Sequence, residues 1–453
     1  MVDEASGKTR GAILVKIAIA GFGVEGRVNY DYFANKYPEA EVVIVDERDK
    51  IEDLPDRASV LLGRGSFGRL EDFDLVVRTP SLRPDKITSS GKIWSATNEF
   101  FQESPAPIIG VTGTKGKGTT CSIIENILQA SGIKTHLVGN IGRPALEVLP
   151  IIQSTDIVIY ELSSFQLFDL RKSPHIAVVT MIEPDHLDVH LNFEEYLIAK
   201  SNITAYQTEL DEAYYIYDNR YSKQIASRGQ GRVTSYGDVI NRTGVYVENN
   251  QFMLDGEVLC ESDKLNLPGV HNLENACAAI SVAKYLGIDN ASIKKGIILS
   301  KGLPHRLSFV AEANGVKYYD DSIATTPGSA ISAVKSFSQP KVLILGGHDK
   351  GADYRGLAEQ ISQTDSIRAV LLIGANAEKL AKLLAEANVG AEVNIVGKRS
   401  MSAIVSLAST YTHVGDVVIL SPAAASFDMF ESYQDRGNQF IKAIERLSGG
   451  AEK

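Results

Sequence analysis

Cysteine is scarce in this chain of 453 residues: Cys121, Cys260 and Cys277 are its three. An odd number with no metal-ligand spacing gives neither a disulfide framework nor a thiolate metal site, so each reads as a small buried hydrophobe. Long apolar runs are missing too. None reaches the roughly 18 residues of a membrane span, and the opening M-V-D-E-A-S-G-K-T-R-G lacks the apolar core of a signal peptide. A cytoplasmic protein with no membrane partner is expected. Nor is there a basic excess: 46 Lys and Arg stand against 56 Asp and Glu, a formal charge of −10. That argues against nucleic acid as a main partner, while leaving room for a locally basic phosphate site. No repeat or low-complexity tract occurs. What remains is globular, 44% hydrophobic and 23% charged, in a chain long enough for two or three domains.

The most informative stretch is P-I-I-G-V-T-G-T-K-G-K-G-T-T, Pro107 to Thr120. An apolar strand feeds a glycine-rich turn (Gly113, Thr114, Lys115, Gly116), then Lys117, Gly118, Thr119 and Thr120 open a helical segment. Glycines let backbone N–H groups turn inward, the helix end adds partial positive charge and lysine adds a full one, which makes a nucleoside-triphosphate cradle. The spacing departs from the common G-x-x-x-x-G-K-[ST]: Gly118 stands where the magnesium-binding hydroxyl usually sits, with Thr119 one step later. A plain glycine-rich loop would explain the glycines but not the Lys-Gly-Thr-Thr ending.

Upstream, the strand-like Leu14–Ala20 ends in G-F-G-V-E-G (21–26), and a second run ends at Asp46, 20 positions after Gly26. This is the dinucleotide fingerprint, shared by dehydrogenases and by other nucleotide-diphosphate binders. From Pro107 to about Pro304 apolar runs alternate with helical periods, which predicts a mainly parallel sheet. Short alternations from Glu209 to Leu267 predict an antiparallel appendage. A third alternating block starts near Arg306, and three of its runs end in glycine or serine, as strands do at a binding crevice.

Several residues carry candidate chemistry. Glu161 ends the run I-V-I-Y-E, where a magnesium ligand belongs beside a phosphate loop, although an isolated strand-end glutamate is more often a surface charge. Asp185, His186, Asp188 and His190 crowd the loop E-P-D-H-L-D-V-H, a magnesium or phosphate loop or simply a solvated one. Lys200, in E-E-Y-L-I-A-K, reads by itself as a surface lysine. Asn272 and Asn275 fall at i and i+3 of one helix and share a face, suited to an adenine edge or to capping.

Taken in order, G-T-K-G-K, Y-E-L-S-S-F-Q, D-H-L-D-x-H, H-N-x-x-N, G-L-P-H-R, D-D-S-x-A-T, L-G-G-x-x-K and S-P-A-x-A-S-F-D-x-F resemble the Mur ligase family of peptidoglycan-precursor synthesis. The match runs from Gly21 to Gly437. It implies an α/β protein of three domains: residues 1–104, Rossmann-like, for the UDP end of a substrate; 105–305, a central P-loop-type ATPase; and 306–453, Rossmann-like, for an incoming amino acid. It replaces the dehydrogenase reading. The implied reaction is ATP-driven addition of glutamate, D-glutamate first, to UDP-N-acetylmuramoyl-L-alanine through an acyl phosphate, by a monomer with two magnesium ions. Lys117 would hold phosphates. Thr119, Glu161, His186 and a carbamylated Lys200 would serve the metal, and Asn272, Asn275, Arg306 and Asp321 the adenosine. Gly23, Val24, Asp46, Arg48, Asn140, Ser163 and Gln166 would meet the UDP-substrate, and Thr325, Lys350, Ser426 and Tyr433 the glutamate. A hinge is expected near Gly302 to Arg306.

Two departures stand out. Gly118 replaces the usual hydroxyl residue, as it also does in folate polyglutamate ligases. Ile323 stands where the family's D-S-K segment has a lysine, so L-glutamate is kept as an alternative. A non-catalytic nucleotide-binding relative would be marked by loss of Lys117, Glu161, His186 or Lys200, and all four are present.

Overall fold

The computed structural model describes residues 15–449 apart from 53, 57, 187–188, 301–303 and 350. Asp188, Lys350 and the Gly302 end of the expected hinge lie outside the described residues. The chain forms two compact units. One holds the described residues up to Glu261 together with Glu274–Gly296, the other Ser262–Leu273 together with those from Ile297 onward.

The first unit is built on two parallel sheets. β1 (Lys16–Ala20), β2 (Glu41–Asp46), β3 (Ser59–Leu62), β4 (Leu75–Arg78) and β5 (Lys92–Ser95) run in the order β3-β2-β1-β4-β5. β6 (Ile108–Thr112), β7 (Thr135–Gly139), β8 (Ile157–Glu161), β9 (Ile176–Val179), β10 (Glu212–Ile216) and β11 (Arg232–Tyr236) run in the order β11-β10-β9-β6-β8-β7. β6, at the heart of the second sheet, is buried at every position. A parallel strand covered by helices on both faces must be apolar throughout, which is why I-I-G-V-T reads as a continuous run. One core joins the two sheets, from Ile17 and Phe33 to Tyr160 and Val179. Arg78, buried at the end of β4, is tied to Asp169 and donates to the Phe165 carbonyl at 3.0 Å, and Arg83 pairs with Glu195 at 2.7 Å.

The antiparallel appendage is smaller than the sequence predicts. β10 and β11 pair in parallel inside the central sheet, and only β12 (Tyr246–Glu248), β13 (Gln251–Leu254) and β14 (Glu257–Glu261) form an antiparallel meander. In the second unit β15 (Ser308–Ala313), β16 (Val316–Asp320), β17 (Lys341–Gly346), β18 (Ile367–Ile373), β19 (Glu392–Gly397) and β20 (Val417–Leu420) take the order β15-β16-β20-β17-β18-β19. All neighbours are parallel except the β15–β16 pair. The α/β class is as the sequence predicts. Among the described residues no helix is long and apolar enough to cross a membrane.

Candidate active site

The phosphate loop leaves the C-terminal end of β6 and enters the helix Lys117–Ala130. Gly113 has φ +157° and Gly116, the residue before the helix, φ +90°. A Cβ on Gly113 would lie 1.9 Å from Thr180 Oγ1, and one on Gly116 2.3 Å from Asn275 Oδ1. Glycine is therefore required twice, by conformation at Gly116 and by space at both. The loop is pinned from outside: Thr114 N–H donates to Met181 O at 2.7 Å, and Thr180 Oγ1 donates to Lys115 O at 2.6 Å. Lys115 pairs with Glu183. The Lys117 ammonium curls back over the turn, donating to Gly113 O at 3.0 Å and Thr114 O at 3.1 Å. Gly118, Thr119 and Thr120 are buried, and Thr120 Oγ1 donates to Asn275 Oδ1 at 3.3 Å.

Lys200 is not on the surface. It is 1% exposed in the helix Phe193–Ser201, and its Nζ donates to Gly113 O at 2.9 Å and Thr112 Oγ1 at 3.2 Å. Burial, with Lys117 nearby, pushes its amine well below the usual lysine range, against the pull of Asp185 and Glu161. Glu161, at the end of β8, is 3% exposed, and its Oε2 has no hydrogen-bond partner among the described residues. A buried carboxylate with an unpartnered oxygen is costly unless a cation or an added group completes it. His186 has φ +53° and a half-exposed ring 5.0 Å from that of Phe165. His190 is buried, with Nε2 2.9 Å from Ser164 Oγ. Among the described residues no group of three or more His, Cys, Asp or Glu side chains is placed to hold a metal.

At the first glycine turn, Gly23 and Val24 begin the helix Val24–Lys36 and are exposed. Asp46 accepts from Phe22 N–H at 2.9 Å and from Arg48 Nε at 2.9 Å. Burial alone would raise its carboxyl, but the bonds from Arg48 and Phe22 hold it at about 2. Asn140 is exposed after β7, its N–H donating to Glu161 O at 3.2 Å. Ser163 and Gln166 close a capping box on the helix Ser164–Leu167, with Gln166 Oε1 accepting from Ser163 N at 2.9 Å and Ser163 Oγ at 3.0 Å. The S-x-x-Q spacing is a visible signature of such a box.

In the second unit, Asn272 donates to Pro268 O at 2.7 Å. Arg306 is exposed, and Asp321 accepts from Leu307 N–H at 3.1 Å and Ser421 Oγ at 2.6 Å. Desolvation pushes the Asp321 carboxyl up to about 7, against those bonds and the Arg306 charge. Thr325 is half-buried in the loop after β16, and Ser426 is buried in the loop after β20. Tyr433 starts the helix Tyr433–Gly449, its ring edge-on to His305 at 6.2 Å. Sequence reasoning passed over Thr180, Arg78 and Arg436, whose roles depend on contacts distant along the chain.

A glycine turn at a helix N-terminus, two lysines converging on its carbonyls and a buried acid on the neighbouring strand define a phosphate-loop α/β protein. The pattern of the Mur ligase middle domain matches residues 111–283, and that of the Mur ligase glutamate ligase domain residues 305–424. A UDP-N-acetylmuramoylalanine--D-glutamate ligase of Acetivibrio thermocellus is 36% identical, covering 95% of this chain and 96% of that protein. The same-named protein of Ruminiclostridium cellulolyticum is 34% identical, covering 95% and 97%. Among solved structures, the UDP-N-acetylmuramate-alanine ligase MurC of Thermotoga maritima superposes with a TM-score of 0.60 at 17% identity, over 95% of this chain and 99% of that one. MurF ligase of the same organism, solved with ADP, gives 0.57 at 18%, over 97% and 96%. The chain belongs to the Mur ligase family.

Proposed function

We propose that this protein is an ATP-dependent ligase that joins D-glutamate to UDP-N-acetylmuramoyl-L-alanine in peptidoglycan-precursor synthesis. The observation that carries the chemistry is the buried Lys200 amine bonded to the phosphate loop, together with the unpartnered Glu161 Oε2. The amino acid is supported by relatives of 34–36% identity along nearly the whole chain. We further propose that the protein acts as a cytoplasmic monomer, with residues 1–104 taking the UDP end, 105–305 ATP and 306–453 glutamate.

Lys117 and the amides from Gly113 to Thr120 neutralise and orient the β- and γ-phosphates. Magnesium fits the donor set: Glu161 offers an unpartnered carboxylate oxygen, and Thr119, His186 and a carbamylated Lys200 complete the candidates for two ions. Bound there, it would neutralise charge on the transferring phosphoryl group. Carbamylation needs an uncharged amine, and burial shifts Lys200 toward that form by pushing its amine well below the usual lysine range. Its Nζ adds to carbon dioxide, forming an N–C bond and releasing a proton, so a buried base becomes an anion. The alanyl carboxylate displaces ADP from the γ-phosphorus. The glutamate amine then attacks the acyl carbonyl, phosphate leaves and a proton is released. Gly23, Val24, Asp46 and Arg48 bind toward the uridine diphosphate, with Asn140, Ser163 and Gln166 toward the muramoyl-alanine. Asn272, Asn275, Arg306 and Asp321 face the nucleoside, and Thr325, Lys350, Ser426 and Tyr433 the glutamate.

The test is phosphate release from ATP by the purified chain. Release is expected only with magnesium, the UDP-substrate and D-glutamate all present, and to disappear in Lys117→Ala. Release independent of the UDP-substrate would refute the reading.

A further inference from the structure

Arg436 is the most deeply buried guanidinium of the second unit, 0% exposed in the first turn of the helix Tyr433–Gly449. It makes contacts that no ion pair explains. Nε donates to Ser322 Oγ at 2.9 Å and Nη2 to Ser322 O at 2.8 Å, both in the loop after β16. Nη1 and Nη2 each lie 3.2 Å from Ala424 O, in the loop after β20. The first loop continues to Thr325 and the second to Ser426. Ser322 is held in turn by two further bonds. Its Oγ donates to Tyr433 O at 2.8 Å, and its N–H donates to Asp320 Oδ1 at 2.9 Å. A third loop joins through His348 N–H, which donates to Ala425 O at 2.8 Å.

Burying a guanidinium is expensive unless its donors are satisfied and opposite charge is near. Four bonds meet the first condition. Asp428 and Asp320 supply the second, although burial still draws the group down to about 10. Space is tailored around the network as well: a Cβ on Gly437 would lie 2.1 Å from His305 Nδ1, and one on Gly347 3.3 Å from Arg436 Nη1. A sheet-edge crevice needs no such clamp for stability alone, since β16 and β20 are already paired in register. What pairing does not fix is the spacing of the loops beyond the strand ends.

We propose that Arg436 is a positioning residue for the amino-acid substrate, its planar fork locking the Thr325 loop to the Ser426 loop at the distance the incoming amino acid requires. This rests on the ligase reading given above. Arginine rather than lysine is needed because a single ammonium on a flexible stem cannot span two loops.

The experiment compares wild type, Arg436→Lys and Ser322→Ala in steady-state ligation with ATP, UDP-N-acetylmuramoyl-L-alanine and glutamate. Loss of a charge-assisted bond predicts that KM for glutamate rises by about tenfold or more in Arg436→Lys and less in Ser322→Ala, with KM for the other substrates within about twofold. Unchanged glutamate KM in both variants, or a proportional rise in all three values, overturns the proposal. If Arg436→Lys fails to fold, Ser322→Ala decides. Hydrogen exchange gives a readout that needs no turnover: the amides of Ile323, Thr325 and His348 should exchange faster together in Ser322→Ala. Acceleration in one loop only, or in neither, counts against the clamp. A wild type that exchanges as expected but does not ligate would instead sink the ligase reading.

Discussion

Among single residues, the informative side chains are ionisable groups held away from water. Lys200 is the clearest. The unfolded chain binds a proton up to the ordinary lysine value of 10.5, whereas the folded chain gives it up at a lower pH. Stability therefore falls as pH drops from 10.5 toward the folded value, and the contribution is intact above 10.5. In buffer freed of carbon dioxide, Lys200→Met should unfold at higher urea than wild type at neutral pH, the gap narrowing as pH rises toward about 9. It should also be inactive, since Met cannot be carbamylated. A gap independent of pH would mean that the amine is not desolvated. Asp321 titrates in the opposite sense. Its carboxyl moves from 3.8 to about 7 on folding, so the unfolded chain loses its proton first and stability falls as pH rises between those values. Asp321→Asn should gain stability over wild type at pH 8 and much less at pH 5 while KM for ATP rises, checked by denaturant titration and kinetics. Equal gaps at both pH values would contradict the burial argument.

Among the secondary-structure elements, the helix Lys117–Ala130 offers a paired measurement, because it is flanked at both ends by left-handed glycines. Gly116 has φ +90° and Gly132 φ +87°. A Cβ on Gly132 meets nothing within 4 Å, whereas one on Gly116 meets Asn275 Oδ1 at 2.3 Å. Gly132→Ala should thus show the backbone cost alone, roughly 1 kcal/mol, and Gly116→Ala about 1–2 kcal/mol more. Only Gly116→Ala should lose nucleotide binding, as read by titration with an ATP analogue. Equal destabilisation by the two would remove the close approach of Asn275. Strands covered on both faces were legible in the sequence for the reason given for β6, and so were the glycine turns after β1 and β6. Edge strands were not. β11 has an exposed first half and β19 a mostly half-exposed pattern, so neither makes an apolar run. This is why β11 does not read as a parallel strand, and its inner neighbour β10, itself mostly buried, is grouped with it in an antiparallel appendage. The candidate site divides along the same line. Gly116, Lys117 and Glu161 announce themselves by local spacing, but the burial of Lys200 and the clamp of Arg436 arise from residues 87 and 114 positions away.

For the full chain, the question left is which mirror image of glutamate it takes. Similarity extends over 95% of the chain to ligases named for D-glutamate. Against it stands Ile323, where the family resemblance leads one to expect a lysine. In the structure Ile323 holds its loop through the backbone, since its N–H donates to His305 O at 3.0 Å and its carbonyl accepts from Thr325 N–H at 2.8 Å. An isoleucine there keeps the loop but supplies no cation to a substrate carboxylate. If a lysine were the only way to hold the D-enantiomer, the chain would have lost a charge-assisted bond worth about 1.5–3 kcal/mol, roughly a tenfold to hundredfold weaker KM. Full-length similarity favours compensation by other groups over a change of enantiomer. D-glutamate is therefore expected to be ligated with kcat/KM at least about tenfold above L-glutamate, a margin of about 1.4 kcal/mol. Ile323→Lys should improve KM for D-glutamate by less than about tenfold, because a compensated site gains little from a second cation. The measurement is ligation with each enantiomer separately, in wild type and in Ile323→Lys. A wild-type preference for L-glutamate that Ile323→Lys reverses would show that this one position sets the handedness of the product.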